Sequence, residues 1–586
     1  MLDYTLPLRE LRFVMHEVLH AQAVLAELPD YAGVDADLLD SLAEQIGRFA
    51  AEQVAPLNAG ADRVGCRWHD GQVSTPPGFA AAYAAFRELG WPSVCADAAD
   101  GGQALPRLAF SLVNEVLSAA SHAFVMYAAV NHCAAACLRH GASDALRAHW
   151  LPLLASGEVL ASMCLSEPQA GSDIGLLCTR ADVGDDSAGG GSHRITGAKI
   201  FASGAEHDLT DNVMHLVLAR LRGAPAGSRG LSLFIVPKRL ADGRLNSVSC
   251  DGIEHKMGLH GSATCSLRFE AAQGWLVGEP NFGLRAMFPM LNEARLLSGL
   301  QAVGISEMAL QNALRYARSR RQGRSASGEQ PCAIVAHADV QRMLITQKAW
   351  TEGGRAIVHW VALLIDVAER HPDAARRRHA ELLTGLLTPL VKGLLTENAQ
   401  TSISLALQVH GGHGYVRETG IEQLARDVRV TTLYEGTTGI QAQDLLLRKV
   451  LADGGQALRS LAAEVQDWLA TAGGRRADAE LAAFTQALAA QLALTLQVTA
   501  WLAQREQTAA GAALSASVAY LRLLGHLVLA LMWARMAEAA SVGDDGWRRA
   551  KLATARFYFS QLLPESQHLA AAIHGADGDF AAALAE

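Results

Sequence analysis

The sequence predicts a mostly helical protein interrupted once: a helical N-terminal domain, a small antiparallel β domain, a helical bundle and an extra C-terminal helical domain. Three observations carry this. Apolar residues recur at helical spacing before about residue 158 and after about residue 278, as amphipathic and buried helices require. Between these positions the texture changes to short β-prone runs split by glycine-rich turns, the mark of strands. Asp453, Gly454 and Gly455 then punctuate the last helical portion. The expected domains are 1–157, 158–278, 279–453 and 454–586.

Taken in order, Leu8 to Ser156 reads as helices, with FAAAYAAFRELG as an example. Leu108 to Leu138 is nearly continuously apolar and reads as one helix surrounded by others. The β-prone runs are SHRITGAKIFAS, HLVLARL, GLSLFIVP, NSVSC and ATCSLRFE, and GAKIFASGAEHD (Gly197–Asp208) reads as a hairpin leading into a polar loop. AGGGSH near 188–193 and GAPAGSRG near 223–230 read as flexible loops. Long helical periods run from Phe282 to Leu451. The most apolar stretches, Leu481–Gln504 and Ser517–Ala540, are interrupted by glutamine, threonine, Arg522 and His526. They read as buried bundle helices rather than membrane spans.

Half of the 586 residues are hydrophobic and 19% are charged, a soluble globular balance. A net charge of -9 argues against a protein that lives on nucleic acid or an anionic membrane. The nine cysteines are scattered and include no Cys-x-x-Cys pair. Neither a disulfide framework nor a metal site is expected. Cys133 and Cys137 share a helix face and read as buried thiols. The first residues mix acidic with apolar side chains and show no basic-then-apolar leader, so a reduced, cytoplasmic setting is expected.

Several stretches carry candidate chemistry. In RVTTLYEGTTGIQAQDLLLRKV (Arg429–Val450) one carboxylate, Glu435, stands between an apolar run and a helix start. Thr438 and Gln441 have capping-box spacing, and an acidic residue beside a helix start also suits the helix dipole. MCLSEPQAGSDIG (Met163–Gly175) leaves a strand and offers backbone N–H groups and hydroxyls to a polar ligand. YARSRRQGR (Tyr316–Arg324) sets four arginines at a helix end, where a solvated basic face is the ordinary explanation. The glycines of QVHGGHGYVRETG (Gln408–Gly420) end a helix instead of following a strand, which excludes a Rossmann phosphate loop.

In order and at these separations, LSEPQAGSD, KIFASG, LNEAR, RRQGR, QVHGGHGY and RDVRVTTLYEGT resemble the successive signatures of the acyl-CoA dehydrogenase family over about residues 40 to 452. The segments IFASGAEHD, RRQGR and GIQAQDLLLRK are most similar to a bacterial subgroup with a C-terminal helical extension. The resemblance implies an acyl-CoA dehydrogenase-like fold holding FAD, and conversion of an acyl-CoA to a trans-2-enoyl-CoA. Glu435 stands where the family has its catalytic base, which removes the α-proton while the β-hydrogen leaves as hydride to flavin N5. Relatives with the base on an earlier helix carry it at the position of Ala294, which cannot act. The adjacent Glu293 is turned about 100° around the helix.

Residue by residue, the resemblance sets Leu165, Ser166, Gly171 and Ser172 along the flavin, and Phe201 and Ser203 against its ring. Arg320 and Gln322 match contacts to the FAD pyrophosphate and adenylate, Gln408, Gly411 and Gly412 match contacts from a neighbouring subunit, and Thr437 matches a flavin contact after the base. Ser172, Asn292, Arg295, Tyr434 and Gly436 match substrate contacts. Three positions depart from the family: Phe201 replaces the usual tryptophan, Asn292 a common aspartate, and Gly439 a frequent glutamine. The implied partners are an acyl-CoA, an electron-transfer flavoprotein and a second copy in a homodimer. Two alternatives stay open, an acyl-CoA oxidase that uses O₂ and a noncatalytic DNA-binding flavoprotein relative. The matching tail favours the dehydrogenase, and the acidic charge disfavours the DNA-binding reading.

Overall fold

The computed structural model describes residues 2–184, 191–472, 479–508, 511–576 and 584. Residues 188–190 of the expected AGGGSH loop lie outside the described residues. The chain divides into two compact units, Ile46–Leu297, and Met1–Gln45 with Ser298–Glu586.

The unit Ile46–Leu297 combines helices with a sheet. A hairpin of β1 (Arg67–His69) and β2 (Gln72–Ser74) interrupts the stretch expected to be helical throughout. Its tip is Asp70-Gly71, both at positive φ, a dipeptide suited to tight hairpin turns. The single helix expected over Leu108–Leu138 is three: Arg107–Ala120, His122–Ala128 and Val130–Gly141. The first break is at Ser121, whose backbone is extended and whose hydroxyl accepts the Phe124 N–H. Serine competes with the helix for backbone donors, and both flanks stay buried, so the apolar pattern ran straight through the break.

The remaining strands are β3 (Val159–Cys164), β4 (Arg180–Val183), β5 (Ser192–Ser203), β6 (Asn212–Leu221), β7 (Leu231–Pro237), β8 (Val248–Ile253) and β9 (Thr264–Val277). Pairings β6–β7, β7–β9, β9–β5, β5–β4 and β4–β6 close a circuit, with β3 added on β6 and β8 on β9. Most pairs are antiparallel as expected, and β3–β6 and β4–β6 are parallel. Closure removes exposed edges around a core that includes Ile195, Val217, Phe234, Val236 and Phe269. Gly197–Asp208 is not a hairpin. It is the end of β5 and the turn after it, and β6 does not pair with β5.

The other unit is helical. Besides helices within Met1–Gln45, it holds the portion from Ser298 of α1 (Gly283–Ser319), then α2 (Ala338–Arg370), α3 (Ala374–His410), α4 (Ile421–Arg429) and α5 (Thr438–Gln443). After a π-helical turn at Asp444–Leu451 come α6 (Gln456–Ala472), α7 (Ala479–Thr508), α8 (Ala512–Ala540), α9 (Gly546–Phe557) and α10 (Glu565–His574). Both α7 and α8 are long and apolar enough to cross a membrane by length and composition. However, α8 is buried over most of its apolar stretch, and α7 over less than half of its own.

Candidate active site

Glu435 is half-buried in a turn between α4 and α5. Its φ is +56° and that of Gly436 is +87°, so two successive residues are left-handed. Such a backbone costs a non-glycine residue about 1–3 kcal/mol and persists only where its surroundings enforce it. The surroundings are polar and buried. Gln441 Nε2 donates to the Glu435 carbonyl at 2.8 Å, and Lys392 Nζ, from α3, donates to the Gly436 carbonyl at 2.5 Å. Position 436 needs glycine twice over, because its φ is left-handed and an added Cβ would lie 2.9 Å from Gln441 Nε2.

The helix start is one residue earlier than the capping-box spacing implied. Thr437 is the cap, accepting the Ile440 N–H at 3.4 Å, and Gln441 serves the turn instead of the cap. Thr438 Oγ1 donates to Glu397 Oε1 at 2.6 Å. On the other side of the base, the Tyr434 phenol donates to Gln301 Oε1 on α1. Burial first, and then the Glu435 charge, push the Tyr434 pKa upward, so the phenol stays protonated.

Glu293, the other carboxylate near a possible base position, is otherwise engaged. It is buried against Arg107 Nε at 3.0 Å and His132 Nε2 at 3.4 Å. Burial opposes its ionisation, but Arg107 and His132 outweigh that and hold its pKa at about 2. So acidic a carboxyl is a poor proton acceptor. Its neighbours Asn292 and Arg295 are exposed and half-buried respectively.

The flavin-loop residues belong to the unit Ile46–Leu297. Leu165 and Ser166 follow β3 and are half-buried, while Gly171 and Ser172 are exposed. Glu167 organises this loop. Its carboxylate accepts from the Cys178 and Thr179 N–H groups at 2.7 and 3.0 Å and from Lys199 Nζ at 2.8 Å. Lys199, which is 0% exposed, also donates to the Leu165 carbonyl at 2.9 Å. Sequence reasoning missed both residues, because burial of a charged pair leaves no local signature.

The same strand aims Phe201. Lys199 opposes Leu267 and Ala202 opposes Cys265, so β5 carries one extra residue against β9. Such a bulge re-aims side chains. Phe201 takes φ +56° and is 60% exposed, and Ser203 follows at the strand's end.

Arg320, Gln322, Gln408, Gly411 and Gly412 lie in the helical unit, all exposed. Arg320 bonds the Gln322 side-chain oxygen at 2.8 Å and pairs with no carboxylate among the described residues. Gly411 ends α3 at φ +58°. Within its own unit the exposed Phe201 ring suits a flat aromatic partner, and within the other the Arg320 guanidinium suits a phosphate.

Comparison with known proteins matches residues 38–158, 162–272 and 281–449 to the N-terminal, middle and C-terminal domains of acyl-CoA dehydrogenases. Residues 461–583 match the acetyl-CoA dehydrogenase C-terminal-like domain. A 3-methylmercaptopropionyl-CoA dehydrogenase of Ruegeria pomeroyi is 39% identical over 96% of this chain and 97% of its own. The chain belongs to the acyl-CoA dehydrogenase family. It is an FAD-dependent oxidoreductase of acyl-CoA thioesters. A broad-specificity linear acyl-CoA dehydrogenase of Mycobacterium tuberculosis is 34% identical over 96% of each chain. In fold, Caenorhabditis elegans ACDH-11 in complex with C11-CoA aligns at a TM-score of 0.80 and 18% identity, covering 99% of this chain and 96% of its own. An acyl-CoA dehydrogenase complexed with FAD from Bacillus anthracis aligns at 0.74 and 21%, covering 96% and 92%.

Proposed function

We propose that Glu435 is the base of an α,β-dehydrogenation acting on short, unbranched acyl-CoA thioesters, thioether chains included. The observation that carries the assignment is the Glu435 carboxylate, set on an energetically costly turn that buried donors hold. FAD, when bound, supplies the acceptor for the hydride that leaves the β-carbon. The Glu435 carboxylate takes the α-proton, and the trans-2-enoyl thioester remains. That proton is too weakly acidic for a carboxylate alone, so charge developing on the thioester oxygen needs a donor, a role we give to the Glu435 backbone N–H. Phe201 offers its ring to the isoalloxazine, with Leu165, Ser166, Gly171, Ser172, Ser203 and Thr437 around the flavin. Arg320 and Gln322 take the pyrophosphate and adenylate, with Gln408, Gly411 and Gly412 contributed by a second copy. Asn292, Arg295, Tyr434 and Gly436 serve the CoA thioester.

The substrate class follows the names of the full-length relatives, which specify 3-methylmercaptopropionyl, linear and butyryl groups. An electron-transfer flavoprotein as acceptor, a homodimer and a cytoplasmic location complete the reading. Glu435→Gln is expected to keep FAD and bind substrate while losing turnover by about three orders of magnitude or more, since the isosteric amide accepts no proton. Retention of a tenth of the wild-type rate moves the base elsewhere. A panel of short, branched, thioether and long acyl-CoAs, assayed with and without O₂ as sole acceptor, tests the substrate class. Full turnover on O₂ alone makes the enzyme an oxidase.

A further inference from the structure

We propose that Lys392 and Gln441 are positioning residues for the base: by gripping the carbonyls of Glu435 and Gly436 they hold the left-handed backbone that aims the Glu435 carboxylate. The inference rests on Glu435 being that base. Both side chains are 0% exposed. Lysine is among the residues least often fully buried, so one placed beneath this turn has a task that packing alone would give to an apolar side chain. Its Nζ bonds the Gly436 carbonyl at 2.5 Å. Gln441 Nε2 bonds the Glu435 carbonyl at 2.8 Å and reaches that of Gly436 at 3.5 Å. The grip is two-sided, since Lys392 comes from α3 and Gln441 from α5.

Two consecutive left-handed residues turn these carbonyls inward, where a missing donor would leave them unsatisfied. Remove a donor, and the peptide gains by rotating back toward an ordinary conformation, swinging the carboxylate with it. The flanks of the turn are anchored separately, Tyr434 to Gln301 and Thr438 to Glu397. Loss of either carbonyl contact therefore releases the middle of the turn, where the base sits, while its ends stay fixed. Proton transfer tolerates little misplacement, and an error of about 1 Å costs about 100-fold in rate.

Lys392→Met and Gln441→Met, prepared as holoenzymes, are compared with wild type for flavin content, KM, kcat per bound flavin and the kinetic isotope effect on an α-deuterated acyl-CoA. Each is expected to lower kcat per flavin about 10- to 100-fold with KM and flavin content within about threefold. The α-deuterium isotope effect should rise, because proton removal becomes the slower step. A variant that melts earlier but keeps wild-type kcat per flavin and isotope effect makes these residues core components only and overturns the proposal. If Lys392→Met does not fold, Gln441→Met decides by the same criteria. Glu435→Gln separates the two failures: an active Glu435→Gln removes the base assignment itself, whereas an inactive one beside wild-type-like positioning variants removes only the positioning role.

Discussion

At the scale of single residues, the same contrast recurs between charges that are committed and charges that are not. Glu293 is tied to Arg107 and His132 and is held acidic, whereas Arg320 carries its positive charge on the surface with only an amide oxygen for company. A guanidinium in that state is ready for a bidentate, charge-assisted contact with pyrophosphate. Arg320→Ala should accordingly reduce FAD retention by about tenfold or more while leaving turnover per bound flavin near wild type. Flavin content after gel filtration, set against rate per flavin, checks this. A full flavin load would return the arginine run to a solvated basic face.

At the scale of elements, the loop from Leu165 to Thr179 is shaped by the buried Lys199–Glu167 pair rather than by turn residues alone. Burial works against the Glu167 charge, but Lys199 and the backbone donors prevail and lower its pKa to about 2 from an ordinary 4.5. A depressed carboxyl stabilises fully above about pH 4.5, and that contribution is lost as pH falls toward 2. Melting of the holoenzyme should therefore shift downward between pH 5 and 3, less so in Glu167→Gln. Lys199→Met leaves a carboxylate buried without its cation and should cost about 3–5 kcal/mol. Combining it with Glu167→Gln should restore part of the loss, and no recovery in the melting temperature would mean that the pair does not hold the loop. The order of helical and β segments was legible because periodicity is a local signal. Glu435 stood out through the family resemblance of the segment around it, whereas the left-handed backbone of its turn was not legible. The Asp70-Gly71 hairpin had a local signature that the surrounding helical texture obscured. Thr437 and Thr438 are adjacent and chemically alike, so only backbone geometry tells which one caps α5. The parallel pairings of β6, and the burial of Lys199 and Lys392, depend on contacts far apart in sequence and leave no pattern to read.

At the scale of the whole molecule, the question is what the C-terminal helices do for the bundle. Helix α8 approaches α2 and α3 closely through glycines. A Cβ at Gly353 would lie 2.8 Å from Leu529, one at Gly393 2.6 Å from Leu521, and one at Gly525 2.6 Å from Leu394. Polar locks reinforce this packing. Trp533 Nε1 donates to the Ala349 carbonyl at 3.2 Å, Arg522 bonds Asn398 and Glu565, and the buried Lys551 joins Glu352 at 2.7 Å to Glu10 at 2.5 Å. An apolar face of α2 and α3 is thus covered from within the chain, and an uncovered face of that size would seek another copy. If the extension takes the place of a second pair of subunits, assembly stops at two copies. Light scattering on detergent-free protein is expected to give twice 62.2 kDa, and a tetramer would refute the covering role. Overpacking offers an independent check, because Gly393→Leu forces a side chain into the α3–α8 contact at a cost of about 1–3 kcal/mol. That variant should melt earlier and begin to form species larger than a dimer, whereas an unchanged mass and melting temperature would mean that α8 does not seal this face.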